Sequence, residues 1–242
     1  KEKEKERVLS KLVSRRAEGE PLQYILGNTD FGPLTLLCRP PTLIPRPETA
    51  HIFTEFATRL HRPLRILDLC TGSGCISFLL AWELSNLSPS KTSQNIRPKS
   101  ISSLQADFHP SHELDMLHGR KRVRIYEDIE KTIPTDGEEI GGKVDVIVSN
   151  PPYLSQEEYD HLPRSVKGYE DPLALLGDAD GLAFYNRIKE LLPDLLSITF
   201  HGPRVGLEIG HGQGELVRGI FEEKGWKTEL VKDQWDQDRM II

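Results

Sequence analysis

Short apolar runs alternate with helical patterns along the chain from residue 64 to its end. Runs of strand character are "LRILDLC", "RVRIYEDI", "VDVIVS", "RVGLEIG", "WKTELVKD" and "RMII". Patterns of helical character are "CISFLLAWEL", "DGLAFYNRIKELL" and "GELVRGIFEEKG". Strands that are mostly continuous apolar runs and that alternate with helices favour a mostly parallel sheet with both faces covered. The pattern therefore predicts an α/β fold.

Two further elements precede this alternation. "KEKEKERVLSKLVSRRAEG" predicts a solvated helix that ends at Gly19, with a thin apolar stripe at Val8, Leu9, Leu12 and Val13. "YILGNTDFGPLTLLCRP" predicts a β-hairpin that turns at Gly32-Pro33. We predict that residues 1–46 form a residual N-terminal helix and hairpin linker, and that residues 47–242 form the main domain. Because this helix alone can bury only a thin stripe, we expect it to be the stub of something longer.

Composition removes several classes of protein. The 242 residues carry a formal charge of −6, and an acidic chain binds nucleic acid poorly without specific contacts. No apolar run approaches the roughly 18 residues that a membrane span needs. The three cysteines lack the spacing of a metal site or of a secreted domain, so we expect reduced thiols, an intracellular soluble protein and no metal. We also expect a monomer that contacts neither nucleic acid nor membrane.

The turn "LDLCTGSGC" joins a predicted strand to a helix. In open α/β sheets ligands bind at the carboxyl ends of strands, and Gly72 and Gly74 would let a ligand approach the backbone. A nicotinamide dinucleotide site would want a third glycine near Ser77. The carboxylate of Asp68 would repel a pyrophosphate but accept a cation. The turn therefore suits S-adenosylmethionine better than NAD or ATP. A plain strand–helix turn that binds no ligand is the alternative interpretation.

The segment "VDVIVSNPPYLS" ends a predicted strand on an amide and two prolines. Two prolines fix the backbone and leave carbonyls without neighbouring N–H groups. The Asn150 side chain and the Pro151 carbonyl could then accept both hydrogens of a planar –NH₂ group, with the Tyr153 ring against it. This arrangement would orient a poorly reactive sp² nitrogen toward a sulfonium methyl, largely by positioning. A simple Asn-Pro turn is the structural alternative.

Several stretches together resemble the HemK/PrmC family of class I methyltransferases. They are "GEPLQYILGNTDF", "TLIPRPET", "DLCTGSG", "VSNPPY", "YEDPLALLGDADGLAFY", "GLEIGHGQ" and "KDQWDQDRMI". The resemblance runs from about Arg15 to Ile242, and the pairing of "IPRPET" with "NPPY" is highly specific. It implies a Rossmann-like, mostly parallel seven-stranded sheet with helices on both faces. It also implies methyl transfer from S-adenosylmethionine to the glutamine side chain in the Gly-Gly-Gln loop of a release factor.

The resemblance also assigns site residues. It implies that the substrate glutamine is held by the catalytic residues Asn150, Pro151, Pro152 and Tyr153. It implies that the methionine part of the cofactor is held by Asp68, Cys70, Thr71, Gly72, Ser73 and Gly74, with Asn150 beside them. Pro45, Arg46 and Glu48 of "IPRPET" would line the same cleft.

The chain departs from the family pattern at three places. Cys70 stands where the family has a glycine, which we expect to be tolerated with the backbone in the β region. One N-terminal helix is found where the family has several that grip the release factor. The usual second strand, which ends in an acidic residue for the ribose hydroxyls, has no clear match, since Ser85 to Ser103 reads as an irregular loop and only "ISSLQA" is strand-like.

The remaining cofactor contacts come from a weaker match in the same region. "SLQADFHPSHELD" is similar to the family's "DxxP", which assigns Asp107, followed by Pro110, to the ribose hydroxyls. Of the two acids that end "RVRIYED", Asp128 is preferred over Glu127 for a contact with the adenine amino group, and a solvated strand end with no ligand is the equal alternative. Glu208 in "GLEIG" reads as structural, on a strand away from the loop ends.

Two other functions stay open on the sequence alone. An adenine-N6 DNA methyltransferase uses a similar Asn-Pro-Pro-Tyr corner, but the acidic charge and the lack of a target-recognition segment count against it. A non-catalytic binding module with a decayed cofactor pocket is the third possibility. The irregular insert and Cys70 favour a eukaryotic organellar member of the family, and hence a mitochondrial rather than a cytoplasmic location.

Overall fold

The computed structural model describes residues 1–61, 64–86, 100–104, 123–126 and 143–242. Its strands are β1 Asn28–Phe31, β2 Leu34–Leu37, β3 Arg65–Leu69, β4 Ser100–Leu104, β5 Val123–Tyr126, β6 Val146–Ser149, β7 Val205–Glu208, β8 Leu230–Lys232 and β9 Asp238–Ile241. Its α-helices are α1 Glu2–Ala17, α2 Leu22–Leu26, α3 Pro47–Thr58, α4 Cys75–Asn86, α5 Gln156–Asp160, α6 Arg164–Lys167, α7 Ala183–Leu195 and α8 Gly214–Glu222. A 3₁₀ turn covers Pro172–Ala174.

A mixed sheet forms the centre of the molecule. Across the described residues its strand order is β5-β4-β3-β6-β7-β9-β8. The five strands from β5 to β7 are parallel, and β9 is antiparallel to both of its neighbours. The chain leaves β3 toward β4 on one side and later returns to β6 on the other. Such a reversal opens a crevice at the carboxyl ends of the strands, and the predicted α/β class with a mostly parallel sheet is confirmed.

Two apolar cores lie on opposite faces of this sheet. Neighbouring strand residues point to opposite faces, so Ile66 packs under α3 and α4, whereas Leu67 packs under α7 and α8. Ile147 of β6 joins the α7 and α8 side, and Val148 joins the other. Burial on both faces explains why these strands read as continuous apolar runs.

The N-terminal segment is partly confirmed. Helix α1 buries no residue, and the chain passes into the left-handed region at Gly19 as the sequence predicts. The hairpin of β1 and β2 is present, and Phe31 is fully buried in the core beneath α3 and α4. The hairpin thus shares the main core, and the division of the chain at residue 46 stays a prediction. Helix α2 was not predicted, because five residues are too few to show helical periodicity.

Two predicted boundaries are corrected. The last residues of the stretch read as a loop belong to β4, since Ser100–Leu104 pairs with β3 in parallel. This strand agrees with the strand-like character of "ISSLQA" and contradicts the loop that was predicted to run to Ser103. The strand predicted over "WKTELVKD" shortens to β8, which has one pairing partner at the edge of the sheet. Residues 87–99 of the predicted loop lie outside the described residues.

None of the helices in the described part of the chain is both long and apolar enough to cross a bilayer.

An ion pair fastens the segment before α3 to the body of the protein. The Arg46 Nη2 atom lies 2.7 Å from Oε1 and 2.8 Å from Oε2 of Glu170. The backbone N–H of Ile44 donates to the same carboxylate at 3.0 Å, and that of Asp171 donates to the Pro41 carbonyl at 2.8 Å. The Glu170 side chain is 1% exposed, and the Arg46 side chain is 33% exposed. The carboxylate is therefore a buried clasp, and it places Pro47 at the first position of α3, where a missing N–H costs nothing.

We expect Glu170→Ala to lower the free energy of unfolding by about 2–3 kcal/mol, because it leaves a half-buried guanidinium and a backbone N–H without their hydrogen-bond acceptor. Urea denaturation measures this loss. Glu190→Ala is the matched control, since Glu190 pairs with Arg187 on the surface and should cost at most about 0.5 kcal/mol. Equal losses in the two variants would show that the clasp is not a stabilising contact.

Candidate active site

The glycine turn lies at the carboxyl end of β3, at the sheet reversal. Gly72 and Gly74 both have positive φ, at 51° and 77°. A Cβ added to Gly72 would meet nothing within 4 Å, whereas one added to Gly74 would lie 3.2 Å from the Phe78 ring. Gly72 and Ser73 are partly exposed. The turn therefore offers bare backbone and open space on the side of Gly72, where a ligand could approach it.

Asp68 holds this turn together from within. Its side chain is fully buried, and its Oδ2 atom accepts hydrogen bonds from the hydroxyls of Thr71, at 2.8 Å, and Ser77, at 2.7 Å. Its Oδ1 atom has no hydrogen-bond partner among the described residues. Burial raises the pKa of Asp68 to about 6, although the two hydroxyls lower it. The predicted cofactor residues Asp68 and Thr71 thus form an internal brace, which leaves the backbone from Gly72 to Gly74 for a ligand.

Cys70 corrects one expectation. Its φ is +54°, so the backbone is left-handed and does not stay in the β region. The turn requires this conformation, because the chain must reverse from β3 into the start of α4 within a few residues. A residue with a Cβ is strained there by about 1–2 kcal/mol. The glycine that the family pattern carries at this position has no such cost.

The Pro-Pro corner follows β6 directly beside the glycine turn. Leu69 and Ser149 are paired across the two strands, and the buried Ser149 hydroxyl donates to the Leu69 carbonyl at 2.8 Å. Pro151 is buried, and Asn150 is half-buried. Among the described residues, neither the Asn150 side-chain amide nor the Pro151 carbonyl has a hydrogen-bond partner. Two acceptors are therefore held at the reversal, next to the glycine turn, and no described residue donates a hydrogen bond to either of them.

The segment "LLGDADG" wraps the far side of the corner. The Leu154 N–H donates to the Leu175 carbonyl at 3.0 Å, and the Gly177 N–H donates to the Leu154 carbonyl at 2.9 Å. A Cβ on Gly177 would lie 2.5 Å from the Pro152 carbonyl, and one on Gly181 would lie 2.2 Å from the Tyr153 carbonyl. These two glycines are needed because the backbones touch. The two glycines of this stretch are the feature of the sequence from which the contact could have been predicted.

A glutamine braces the corner from the opposite element. Gln213 lies at the start of α8, where its Nε2 atom donates to the Tyr153 carbonyl at 2.9 Å and its Oε1 atom accepts from the Gly210 N–H at 2.9 Å. The Tyr153 ring packs close to Gly210, whose added Cβ would lie 3.0 Å from the ring. Burial is the main cause that raises the Tyr153 pKa, and the phenol stays neutral at physiological pH. The stretch "GLEIGHGQ" did not predict this role of Gln213, because its partner Tyr153 lies 60 residues away along the chain.

Glu208 is placed differently from the expectation. It ends β7, so it lies at the carboxyl edge of the sheet and not away from it, and its side chain is 1% exposed. Its Oε2 atom and the Thr49 hydroxyl have no partner of good geometry among the described residues. Burial raises the Glu208 pKa to about 7, and the nearby Thr49 hydroxyl and Arg239 lower it in part. A buried carboxyl group that titrates near neutrality thus lies under the first turn of α3.

The other predicted residues divide into two sets. Pro45 is buried, Glu48 is half-buried, and the Arg46 guanidinium is bound to Glu170 as described above. Strands β4 and β5 are present, but Asp107, Glu127 and Asp128, which follow them, lie outside the described residues. No group of three or more potential metal ligands occurs within the described ranges.

Comparisons with known proteins bear on the whole chain. The family model of the PrmC N-terminal domain matches residues 2–27. The release factor glutamine methyltransferase of Bacillus anthracis is 33% identical over an alignment 251 residues long, and the alignment covers 99% of this chain and 81% of that protein. The probable MRF1 mitochondrial N(5)-glutamine methyltransferase mtq1 of Schizosaccharomyces pombe is 31% identical over 250 residues, covering 94% of this chain and 76% of that protein. The crystal structure of a release-factor-specific protein-(glutamine-N5) methyltransferase from Alicyclobacillus acidocaldarius aligns at 25% identity and a TM-score of 0.45, over 82% of this chain and 91% of that one.

We expect Cys70→Gly to be more stable than Cys70→Ala by about 1 kcal/mol, because only glycine removes the left-handed strain. Both variants lose the thiol, so comparing them isolates the effect of the Cβ atom. Thermal and urea unfolding of the two variants measures the difference. Equal or reversed stabilities would mean that the positive φ at residue 70 carries no strain.

We expect the stability gained by Glu208→Gln over the wild type to grow as pH rises from 5 to 8, by on the order of 2 kcal/mol. The folded-state pKa, about 7, lies above the ordinary value of about 4.3. The stabilising contribution of the protonated carboxyl is therefore complete below pH ~4 and is lost as pH rises through 7.

Urea denaturation at several pH values between 5 and 8 measures this difference. The exposed Glu190→Gln serves as the control and should show a constant difference from the wild type. Parallel pH curves for Glu208→Gln and the wild type would contradict the raised pKa.

Proposed function

Because the chain belongs to the release factor glutamine methyltransferase family, as relatives one third identical over nearly its whole length show, we propose that it methylates a release factor. The reaction transfers the methyl group of S-adenosylmethionine to the side-chain amide nitrogen of a glutamine, the one in the Gly-Gly-Gln loop. Its products are N5-methylglutamine in the release factor, S-adenosylhomocysteine and a proton, which leaves the nitrogen once the methyl transfer has made it positively charged.

The adjacency of the glycine turn and the Pro-Pro corner carries this proposal. Pairing of β3 with β6 brings the turn that would hold a methyl donor beside the corner that would hold the acceptor. The Asn150 side chain and the Pro151 carbonyl have no partner in the described part of the chain. Two hydrogen-bond acceptors side by side match the two hydrogens of a carboxamide –NH₂.

The turn after β3 also fits the proposed cofactor. When bound, S-adenosylmethionine supplies an electrophilic methyl group on a positively charged sulfur. The open space at Gly72 admits the methionine part against the backbone, and the buried Asp68 carboxylate contributes negative potential beneath it. The same carboxylate would repel a pyrophosphate. Cys70, Thr71, Ser73 and Gly74 shape the same turn.

The corner would act mainly by positioning the substrate amide. Asn150 and the Pro151 carbonyl would each accept one amide hydrogen, which turns the nitrogen lone pair toward the methyl donor. Accepting both hydrogens also raises electron density on a nitrogen that resonance makes a poor nucleophile. Pro152 fixes the backbone, and the Tyr153 ring would pack against the planar amide. Orientation of this kind supplies up to roughly 7–11 kcal/mol of a barrier in intramolecular reactions.

Further contacts of the site belong to the same proposal. Asp107 would bind the ribose hydroxyls and Asp128 the adenine amino group, because both follow strands that continue the sheet outward from β3. Pro45 and Glu48 would line the substrate cleft at the start of α3, with Arg46 fixed beside them by Glu170. We further propose that the protein acts as a monomer. We also propose that it works in the mitochondrion, and the probable mitochondrial methyltransferase of Schizosaccharomyces pombe supports this location.

Labelled S-adenosylmethionine and a purified release factor test the proposal, with mass spectrometry to locate the methyl group. We expect methylation of the Gly-Gly-Gln glutamine in the wild type, and a rate about 10²–10³-fold lower for Asn150→Ala with cofactor affinity retained.

Two controls sharpen this test. A release factor whose loop glutamine is changed to glutamate should stay unmethylated, because a carboxylate has no –NH₂ to offer two acceptors. Adenine-containing DNA replaces the release factor in a parallel reaction. Methylation of DNA and not of the release factor, or an Asn150→Ala variant within a few-fold of the wild type, would overturn the proposal.

A further inference from the structure

The amide of Gln213 has both of its ends engaged. The side chain is buried, with 8% of the residue exposed, and it spans from the Gly210 N–H to the Tyr153 carbonyl. An N–H can only donate and a carbonyl can only accept, so the chemistry of its partners fixes which end of the amide faces which. Gln213 therefore delivers a directed hydrogen bond to the last residue of the Pro-Pro corner.

Two glycines make room for this amide. A Cβ on Gly210 would lie 2.7 Å from the Gln213 Oε1 atom, and a Cβ on Gly181 would lie 2.8 Å from its Nε2 atom. The two glycines thus allow the amide to sit between the corner and the β7–α8 turn. A side chain enclosed in this way fixes the distance between the two segments.

The corner needs a donor from outside its own sequence. Pro151 and Pro152 have no N–H, so two consecutive residues after β6 cannot hold their position by backbone donation. Leu154 is held by the Leu175 carbonyl on one side. Gln213 supplies the matching bond to Tyr153 from the other side.

We infer that Gln213 is a positioning residue for methyl transfer, which acts by fixing the Tyr153 carbonyl and, through it, the two acceptors at Asn150 and Pro151. This inference rests on the proposed function of that corner. Gln213 itself would touch neither the substrate amide nor the cofactor. A misplacement of reacting groups by about 1 Å can cost about 10²-fold in rate, so removal of the brace should lower kcat. The cofactor turn is held separately, by Asp68, and its affinity for S-adenosylmethionine should not change.

Gln213→Glu gives a test that a merely structural role would not satisfy. At high pH the introduced side chain is a carboxylate. It faces the Tyr153 carbonyl, and since both groups only accept hydrogen bonds, none forms between them. Burial raises the pKa of a carboxyl group, so at lower pH the neutral form donates its O–H to Tyr153 and restores the brace. We expect kcat relative to the wild type to be about 10–100-fold reduced at pH 9 and to recover about tenfold as pH falls to 6.

Gln213→Met and Gln237→Glu complete the set. Methionine has a similar length but no donor, so Gln213→Met should lower kcat about 10–100-fold at every pH, while the Kd for S-adenosylmethionine is unchanged. Gln237 is exposed on the β8–β9 turn, so Gln237→Glu should show a constant, near-unit ratio to the wild type. A pH-independent ratio for Gln213→Glu, or a wild-type kcat for Gln213→Met, overturns the inference. If Gln213→Glu does not fold, Gln213→Met decides alone.

Hydrogen exchange separates this inference from the proposed function. The Leu154 N–H follows the braced carbonyl, and in Gln213→Met it should exchange about tenfold faster than in the wild type. If the wild type methylates no release factor, the proposed function fails, and exchange at Leu154 still reports whether Gln213 fixes the corner. Unchanged exchange in Gln213→Met overturns the inference in either case.

Discussion

The parallel pairing of β3 with β6 is the contact on which the rest of the site depends. It sets Leu69 beside Ser149, and the buried Ser149 hydroxyl locks the two strand ends together at 2.8 Å. The residues that follow each strand are then neighbours, whatever their distance along the chain. A turn suited to a cationic cofactor and a corner suited to a carboxamide thus meet at one reversal of the sheet, which is where open α/β folds bind ligands.

The corner is rigid because three different constraints act on it. The prolines restrict its backbone from within. "LLGDADG" lies so close that Gly177 and Gly181 have no room for a side chain, and Gln213 bonds the Tyr153 carbonyl from the β7–α8 turn. A poorly nucleophilic nitrogen needs orientation more than it needs a base, so the rigidity of the corner matches the chemistry proposed for the site.

Buried carboxyl groups near the site lower the stability of the fold. Asp68 and Glu208 are almost fully buried, and burial raises the pKa of both. Glu170 is equally buried but has a guanidinium and a backbone N–H as partners. Cys70 adds backbone strain at the same edge of the sheet. These unfavourable features cluster at the carboxyl ends of the strands, as expected where a site and not a core has shaped the sequence.

The sequence by itself determined the main alternation of strands and helices, the glycine turn and the Asn150–Tyr153 corner, because periodicity and the Gly and Pro positions act within a few residues. The quoted family stretches located the same corner, and the comparisons confirmed the family. Only the tertiary structure decided the sign of φ at Cys70, the burial of Glu208 and the partners of Gln213 and Glu170. Gln213 lies 60 residues from Tyr153, and Arg46 lies 124 residues from Glu170. Contacts over such distances are set by strand order and packing, which local patterns do not encode.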